Sequence, residues 1–406
     1  MKCTLHLFYI FLVFTACYNG TPDEESPLDP DNITGLFLNY IRNAEGWVVL
    51  NGMKHARYYH QSTLLQDGRV LVSGGYDAQT SDALSSLEIY NPSSQSFSLI
   101  SASFPSPIQN HTATLLQDGR VLIVGGSNAS SVSQKWTYIY SPVTGSITVA
   151  ADMNIARRYH KAIRLNNGKV LVSGGNSSGA EAEVYDPVSN GWTTITNGTI
   201  VSSGHNLTLL SDGRVLQTGG VSVANSTRIF SADGSSSIAA ATMNISHQYH
   251  VAHTMSDGTV LVAGGANTAS PQSIGDDPEK GTEIYSPNDN TFTIGHNLAL
   301  GREKSCLVQL KDGRIMIIGG INYYKHPTAF STGTKVSSST VEFYSQVISY
   351  AAPSMNWAYY ANGYFQCTAL NTGDVLVTGV GVYPESRIDY GTLNLFARAE
   401  LYRVSK

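Results

Sequence analysis

The sequence is poor in charge and lacks the apolar patterning of helices. Only 14% of the 406 residues are charged and the formal net charge is −5, so the basic surface typical of nucleic-acid-binding proteins is not expected. After the N-terminal apolar run, no stretch has the 3.6-residue apolar period of a sizeable helix. Zinc-peptidase, dithiol and P-loop motifs are also missing. These absences point away from helical folds, nucleic-acid binders and several common enzyme classes.

The chain instead repeats one short pattern seven times. The pattern is an apolar strand, an Asp-Gly pair or its nearest equivalent, a second apolar strand and two glycines, most cleanly in residues 64–75. The Asp-Gly positions are Asp67-Gly68, Asp118-Gly119, Asn167-Gly168, Asp212-Gly213, Asp257-Gly258, Asp312-Gly313 and Thr372-Gly373. Successive units are 45 to 60 residues apart. A period of this size, built from short strands, is typical of radial β architectures, which we expect to be binding platforms more often than enzymes.

The residues inside each unit favour an antiparallel hairpin. Asp-Gly between apolar runs predicts a two-residue turn, in which both residues have positive φ. The second strands, such as residues 121–124 and 315–318, are apolar at every position, so both of their faces must be covered. The paired glycines that follow are expected where strands from neighbouring units converge and side chains have little room.

The end of each unit adds a second group of shared features. Three units close with glutamate, an aliphatic residue, tyrosine, a variable residue and proline, followed by an aromatic residue. These are residues 88–92 with Phe97, 183–187 with Trp192 and 283–287 with Phe292, while the fourth unit departs at 228–232. With these features the unit resembles the kelch motif, over about 350 residues of the chain. The resemblance implies an all-β fold, a seven-bladed kelch-type β-propeller with four antiparallel strands in each blade.

The two ends of the repeat region are predicted to meet in one blade. The seventh unit reaches its third strand at residues 399–402 and shows no fourth strand. Residues 46–50 look like a fourth strand without a unit of its own, because Trp47 precedes Met53 by the spacing found before other units. We therefore expect this segment to pair beside Leu401 and to close the ring, which leaves no exposed edge. The alternative is an open stack with frayed ends.

The N-terminal residues predict export and a lipid anchor. Residues 5–14 are too short an apolar run to span a membrane and are typical of a signal peptide, which we place at residues 1–16. Phe14-Thr15-Ala16-Cys17 resembles the bacterial lipoprotein box, although phenylalanine replaces the usual leucine, and the resemblance implies acylation of Cys17. Residues 17–35 are predicted to be a disordered acidic and proline-rich tether, and residues 36–406 the propeller. The expected location is the bacterial envelope, at the outer membrane or cell surface; ordinary cleavage is the alternative.

Two cysteines remain inside the repeats. Cys306 and Cys367 lie in the first strands of adjacent units, within otherwise apolar pattern. Because first strands of neighbouring blades are expected to splay apart, we predict two buried free thiols rather than a disulfide.

A histidine recurs near the start of the first strand in five units. It follows tyrosine in Tyr59-His60, Tyr159-His160 and Tyr249-His250, and recurs at His111 and His205. Repetition in five units favours a structural role, in which the ring bridges strand backbones at the inner end of the blade. The alternative is a central metal bound by several of them, with His60, His160 and His250 as the first candidates.

The Tyr-His pairs also resemble a metal-ligating pair in galactose-oxidase-like copper enzymes, which are kelch propellers. That family additionally has a cysteine at one tyrosine position and a histidine from a further C-terminal domain. Here the seven positions hold Tyr59, Asn110, Tyr159, Gly204, Tyr249, Lys304 and Tyr364, and none is cysteine. We therefore predict no copper site and no cofactor.

The strongest candidates for ligand-binding residues lie near the segments that differ in length between units. The links between second and third strands are long in the last three units, at residues 266–281, 321–339 and 381–396. In an antiparallel blade these links emerge at the same end as the residues that lead into the first strand. Tyrosine, tryptophan and arginine contribute most to binding at interfaces. The candidate ligand-binding residues are Arg57, Tyr58, Arg157, Arg158, His247, Arg302, Tyr323, Tyr324, Trp357, Tyr359, Tyr360 and Tyr383.

Together these features predict a binding function. We expect a monomeric, lipid-anchored, non-enzymatic module that binds a protein or a glycan through the face with the long links, and contacts the membrane only through its anchor. The alternative is a sugar-active kelch enzyme, mutarotase-like or a diverged copper oxidase, with its site at the channel mouth. A structural scaffold is a third interpretation.

Overall fold

In the computed structural model the regular structure consists of strands. The structure describes residues 45–177, 181–195, 203–221, 223–266, 279–324, 334–345, 349–356, 358–359, 365–382 and 396–404. Within this part of the chain no helix is long and apolar enough to cross a membrane. The predicted signal peptide, the predicted tether and Cys17 lie outside the described residues.

The strands form seven antiparallel blades, as the kelch resemblance implies. The first three blades contain Gln61–Leu64, Val70–Ser73, Ser86–Asn91 and Ser96–Ser103; Thr112–Leu115, Val121–Val124, Thr137–Ser141 and Ser146–Val149; and Lys161–Arg164, Val170–Ser173, Ala182–Asp186 and Gly191–Ile195. The next three contain Asn206–Leu209, Val215–Thr218, Thr227–Phe230 and Ser237–Ala239; Val251–Thr254, Val260–Ala263, Thr282–Ser286 and Thr291–Ile294; and Cys306–Gln309, Ile315–Ile318, Val341–Tyr344 and Ser349–Ala352. The seventh contains Gln366–Ala369, Val375–Val382, Phe396–Arg403 and Gly46–Val49.

The seventh blade closes the ring with strands from both ends of the repeat region. Gly46–Val49 pairs antiparallel with Phe396–Arg403, and Val48 lies opposite Leu401. The Leu50 N–H donates to the Ala399 carbonyl at 3.0 Å, which extends the pairing by one residue. The first strands of blades 1 and 7 also contact each other, as first strands do between other neighbouring blades. The prediction of a closed ring is therefore confirmed.

The Asp-Gly hairpins differ from the expected two-residue turn. In unit 1 the Leu65 N–H donates to the Arg69 carbonyl and the Gly68 N–H donates to the Leu65 carbonyl, which makes a three-residue loop. Gly68 has φ of 86°, whereas Asp67 is not left-handed. The Asp67 carboxylate accepts the Arg69 N–H at 3.0 Å and pairs with its guanidinium. These local bonds favour a type I turn followed by a left-handed glycine, so the two-residue prediction is wrong.

The core lies between the blades rather than within any one of them. Apolar clusters join successive blades, for example Leu71 and Leu87 of blade 1 with Val121 and Ile123 of blade 2. The second strands are buried at every position in blades 1 to 6, which confirms the prediction that both of their faces are covered. Because each blade needs two neighbours to cover its second strand, closure of the ring stabilises every blade.

The links between second and third strands lie at the same end as the residues that lead into the first strand. Short ribbons join the two segments: Arg57–Tyr58 pairs with Tyr76–Asp77, and Arg157–Arg158 pairs with Asn176–Ser177. In unit 6 the link forms its own hairpin from Ile321–Tyr324 and Thr334–Ser337. We call this end of the propeller the loop face.

Cys306 and Cys367 form a disulfide between blades 6 and 7. Their Cα atoms are 6.2 Å apart, within bonding range, because the first strands of neighbouring blades contact each other around the axis. The prediction of two free thiols, which assumed that these strands splay apart, is therefore wrong.

Candidate functional site

The first strands surround a cavity on the axis of the ring. Its volume is about 360 Å³. The lining residues are 59–61, 110–112, 159–161, 204–206, 249–252, 304–307 and 365–366. All of them lie within two residues of the start of a first strand, so the cavity opens at the loop face. This size falls within the range that holds small-molecule ligands.

The tyrosine position of each unit has a left-handed backbone. In the six units where this position is described, φ lies between 54° and 72°. The residues are Tyr59, Asn110, Tyr159, Gly204, Tyr249 and Lys304. Bulky residues rarely adopt this conformation, because the Cβ approaches the backbone, so tyrosine and lysine here carry strain that the surrounding structure must offset.

Backbone hydrogen bonds between these positions explain the conformation. In four cases the N–H of one unit donates to the carbonyl of the preceding unit, at 2.7 to 3.2 Å. The donor and acceptor pairs are Asn110 to Tyr59, Tyr159 to Asn110, Tyr249 to Gly204 and Lys304 to Tyr249. The backbone at this position therefore joins the blades around the cavity mouth. Its side chain is not needed for that purpose and can differ between units.

Aromatic side chains form one part of the mouth. Tyr59 and Tyr159 meet edge to face with ring centroids 6.2 Å apart, and Tyr58 packs against Tyr59 at 4.8 Å. The guanidinium of Arg158 lies 5.4 Å from the centre of the Tyr159 ring. These tyrosines and Tyr249, all half-buried, are called the aromatic rim below. The rim presents apolar ring surface and phenolic hydroxyls beside two cations, Arg158 and Lys304.

The histidines of the inner strands join neighbouring blades through side-chain hydroxyls. The Nε2 atoms of four of them lie 2.8 or 2.9 Å from a hydroxyl oxygen of the preceding blade. The pairs are His60 with Thr378, His111 with Ser73, His160 with Thr112 and His250 with Thr218. The structural role is thus as expected, and the bonds that join neighbouring blades go to hydroxyls rather than to strand backbones.

Burial keeps these histidines neutral. Burial and the nearby Arg57 guanidinium lower the pKa of His60 and of His111 to about 3. Burial also lowers the pKa of His160 and of His250 well below its ordinary value. Near neutral pH each ring is an uncharged hydrogen-bonding group within the ring of blades.

Four of the predicted ligand-binding residues are instead buried inside the blades. Arg57, Arg157, Arg302 and His247 have no exposed surface. The Arg57 guanidinium donates to the Gly74 carbonyl at 2.7 Å and pairs with Glu88 at 2.7 Å. The other three repeat the arrangement, pairing with Glu183 at 3.0 Å, Glu342 at 2.5 Å and Glu283 at 3.4 Å respectively. Their assignment to an exposed ligand face is therefore wrong.

The glutamates of these pairs hold a second segment in place. Glu88 accepts the backbone N–H groups of Lys54 and His55 at 2.7 and 3.1 Å, just before the first strand of unit 1. A buried ion pair is tolerated when additional hydrogen bonds satisfy the remaining donors and acceptors. The pair thus fixes the approach to the first strand against the third strand of the same blade.

Comparisons with known proteins agree with this architecture. The family model of the kelch motif matches residues 57–102. The chain is a seven-bladed β-propeller that contains a kelch motif. A fungal alcohol oxidase of the AA5 family, in complex with copper, superposes with a TM-score of 0.67 at 18% identity, covering 89% of this chain and 76% of that one. YjhT superposes with a TM-score of 0.53 at 13% identity, covering 75% and 99%.

These similarities concern the fold. At such identities they carry no information on what this kelch propeller binds. Its sequence has no significant match among curated proteins.

The donor atoms along the channel do not fit the copper site that such an oxidase would need. Among the described residues, no group of three or more histidine, cysteine or acidic side chains could hold a metal ion. The Nε2 atoms of His60, His160 and His250 face hydroxyls of neighbouring blades, and Cys306 is bonded to Cys367. No reaction step is therefore derived through copper.

The remaining candidate residues are placed only in part. Tyr58 and Arg158 belong to the loop face, beside the cavity mouth. Tyr323 and Tyr324 lie on the hairpin of the unit 6 link, and Tyr359 on a short strand that pairs with blade 7. Trp357, Tyr360 and Tyr383 lie outside the described residues.

Sequence reasoning missed two lysines that line the cavity, Lys161 and Lys304. Aromatic and arginine side chains were the features that marked a candidate residue, and lysine is neither.

Proposed function

We propose that this kelch propeller is a non-enzymatic binding module and that a glycan docks at the cavity mouth on the loop face. The aromatic rim carries the proposal. Tyr59, Tyr159 and Tyr249 present half-buried rings at positions where only the backbone is needed for ring structure. Stacked aromatic rings beside hydroxyl and amide groups suit the apolar faces and hydroxyls of a sugar.

The shape of the site favours a glycan over a folded protein partner. The cavity of about 360 Å³ is concave and lies on the axis. A stable protein interface typically buries about 800 Å² on each partner, which needs a broad surface rather than a narrow opening. One or two sugar rings match the dimensions of the cavity better.

The chemistry of the lining supports binding rather than hydrolysis. None of the described lining residues is an aspartate or glutamate. Most glycoside hydrolases use two carboxyl groups, one on each side of the scissile bond. The inner histidines are neutral and hydrogen-bonded to hydroxyls, which favours a structural role for them over a catalytic one. A sugar-active enzyme, the alternative, would reveal itself by product release or by a faster change in anomeric ratio.

A glycan array with the propeller, residues 36–406, tests the proposal. Tyr159→Asn removes one rim ring without new backbone strain, because Asn110 occupies the same left-handed position in unit 2. The matched control is Tyr350→Ala, an exposed tyrosine on the outermost strand of blade 6. We expect Tyr159→Asn to weaken binding by about 1–3 kcal/mol and the control to bind as the wild type does. Equal binding by Tyr159→Asn and wild type would overturn the proposal.

We also propose that the module is held at the bacterial envelope by lipid on Cys17. The support is the sequence Phe14-Thr15-Ala16-Cys17 after an apolar run of signal-peptide length.

A further inference from the structure

The axial cavity carries positive charge without a matching negative charge. Its described lining includes two lysines, Lys161 and Lys304, and no acidic residue. The chain as a whole has a formal net charge of −5. An enclosed site lined by one sign of charge focuses the electric field and concentrates ions of the opposite sign. The cavity is therefore electrostatically suited to an anion.

Lys161 and Lys304 differ in their surroundings. The Lys304 ammonium lies 5.0 Å from the centre of the Tyr249 ring, so it is partly stabilised by that aromatic face. Lys161 begins the first strand of blade 3 and follows the buried His160. Within the described part of the chain no carboxylate forms an ion pair with it. Lys161 is thus the cation that a ligand could pair with.

The position of Lys161 places its amine inside the channel. Its side chain remains accessible to water in the cavity, yet protein surrounds it closely enough for burial to lower the pKa of the amine. Its charge also contributes to lowering the pKa of His160 and of His250 in the same wall. An ammonium in such an environment gains more from a bound anion than one on an open surface does.

The neighbouring units supply groups for hydroxyls at the same level. The position equivalent to Lys161 holds Gln61 in unit 1, Asn206 in unit 4 and Gln366 in unit 7, and all of them line the cavity. Side-chain amides donate and accept hydrogen bonds, as sugar hydroxyls do. The rim residues Tyr59, Tyr159 and Tyr249 lie two residues before this position in units 1, 3 and 5, toward the mouth. Two lysines, several amides and an aromatic rim thus share one small cavity.

We propose that the cavity binds an acidic sugar, free or at the end of a glycan, with the sugar carboxylate paired to Lys161. This inference rests on the proposed glycan-binding function and specifies its ligand class. A single lysine matches one carboxylate charge, whereas phosphate groups are usually met by arginine forks or several backbone N–H groups. The sugar ring would lie against the aromatic rim, with its hydroxyls facing the amides.

The test compares glucuronic acid with glucuronamide, its uncharged isostere, by calorimetric titration. Wild-type propeller should bind the acid at least about tenfold more tightly, because a hydrogen bond to a charged group is stronger than a neutral one. Lys161→Gln, which introduces the residue found at the equivalent position in unit 1, should remove the difference. Lys161→Arg should retain it. Lys169→Gln, at the exposed turn of the same blade, is the matched control and should leave both affinities unchanged.

Each outcome bears on the inference. Equal affinity of wild type for acid and amide, or no binding of either, would overturn it, and so would a preference that persists in Lys161→Gln. Loss of the preference in Lys161→Gln alone would support it. The proposed function has a separate readout: if the array shows Tyr159-dependent binding to neutral glycans only, the acidic-sugar inference fails while the glycan-binding function stands.

Discussion

The buried histidines of the inner strands should make the ring sensitive to acid. His111 is 2% exposed, and burial together with the Arg57 charge lowers its pKa to about 3. In the unfolded chain a histidine titrates near pH 6.5. As the pH falls below about 6.5 the unfolded state therefore binds a proton that the folded state does not. The contribution of His111 to stability is complete above pH 6.5 and is lost as the pH falls toward 3.

The size of the effect follows from this difference in proton binding. At pH 5 each histidine of this kind lowers the free energy of unfolding by about 2 kcal/mol relative to pH 7.5. His60 has a similarly lowered pKa, and His160 and His250 shift in the same direction. His60 and His111 together amount to about 4 kcal/mol, a large part of the stability of an ordinary domain.

Urea unfolding of the wild type and His111→Gln at pH 7.5 and 5.0 measures this. At pH 7.5 the variant should be less stable by about 1 kcal/mol, because it loses the 2.9 Å bond to Ser73. At pH 5.0 the gap should shift by about 2 kcal/mol in favour of the variant, which has no proton to gain. His296→Gln, at an exposed position, is the matched control. An unchanged gap for His111→Gln would refute the reasoning.

Three other changes test the ring, the buried ion pairs and the anchor. Deleting residues 46–50 removes the outer strand of blade 7 and should abolish cooperative thermal unfolding, followed by circular dichroism; an unchanged melting curve would contradict closure. Arg157→Met leaves the Glu183 carboxylate buried without its cation and should lower the free energy of unfolding by about 3–5 kcal/mol, whereas Arg158→Met should cost less than about 1. Cys17→Ser should abolish labelling with palmitate and move the protein to the soluble fraction, and unchanged membrane partitioning would contradict the lipid anchor.

The architecture could be predicted because the same pattern of strands and turns recurs in every unit, so an assignment made in one unit is supported by the others. Strand positions, the blade number and the closing role of residues 46–50 follow from spacings that recur along the chain. The turn type did not follow, because it depends on a side-chain bond from Asp67 to the Arg69 N–H rather than on the Asp-Gly pair alone. The disulfide between Cys306 and Cys367 was missed because contact between first strands arises only when the ring closes.

The buried arginines were wrongly assigned to the ligand face because they were chosen by residue type and by their position near loops. The glutamates with which they pair were not considered. The partners vary together inside the chain: Arg57 and Arg157 occur in units whose third strand carries glutamate. Unit 2 has Ile108 and Tyr138 at the two positions, packed in one apolar cluster. Among units 1 to 3 this correlation was present in the sequence, and there it marks a buried pair that is replaced as a unit, since either charge alone would be costly. Unit 7 departs from it, with Glu400 on its third strand and no arginine at the equivalent position.

A similar correlation accompanies the histidines. His60, His111 and His250 each follow a unit whose second strand carries a hydroxyl residue near its end, and each bonds to that hydroxyl. Where the second strand ends in Ala263 or Ile318, the next unit has serine or phenylalanine at the histidine position. Comparing each unit with the one before it would have identified three of the four bonds between blades. The fourth, from His160 to Thr112, follows a second strand that ends in Val124.

Repeated backbone geometry is also what allows this symmetric ring to hold an asymmetric site. At the left-handed positions the backbone N–H and carbonyl join neighbouring blades, so the side chain can differ between units. Two residues later the side chains again differ, and Lys161 is the cation of that level, facing the cavity among neutral groups. The features common to all blades therefore build the ring. We expect binding specificity to come from side chains found in a single unit, at positions where the backbone conformation recurs between units.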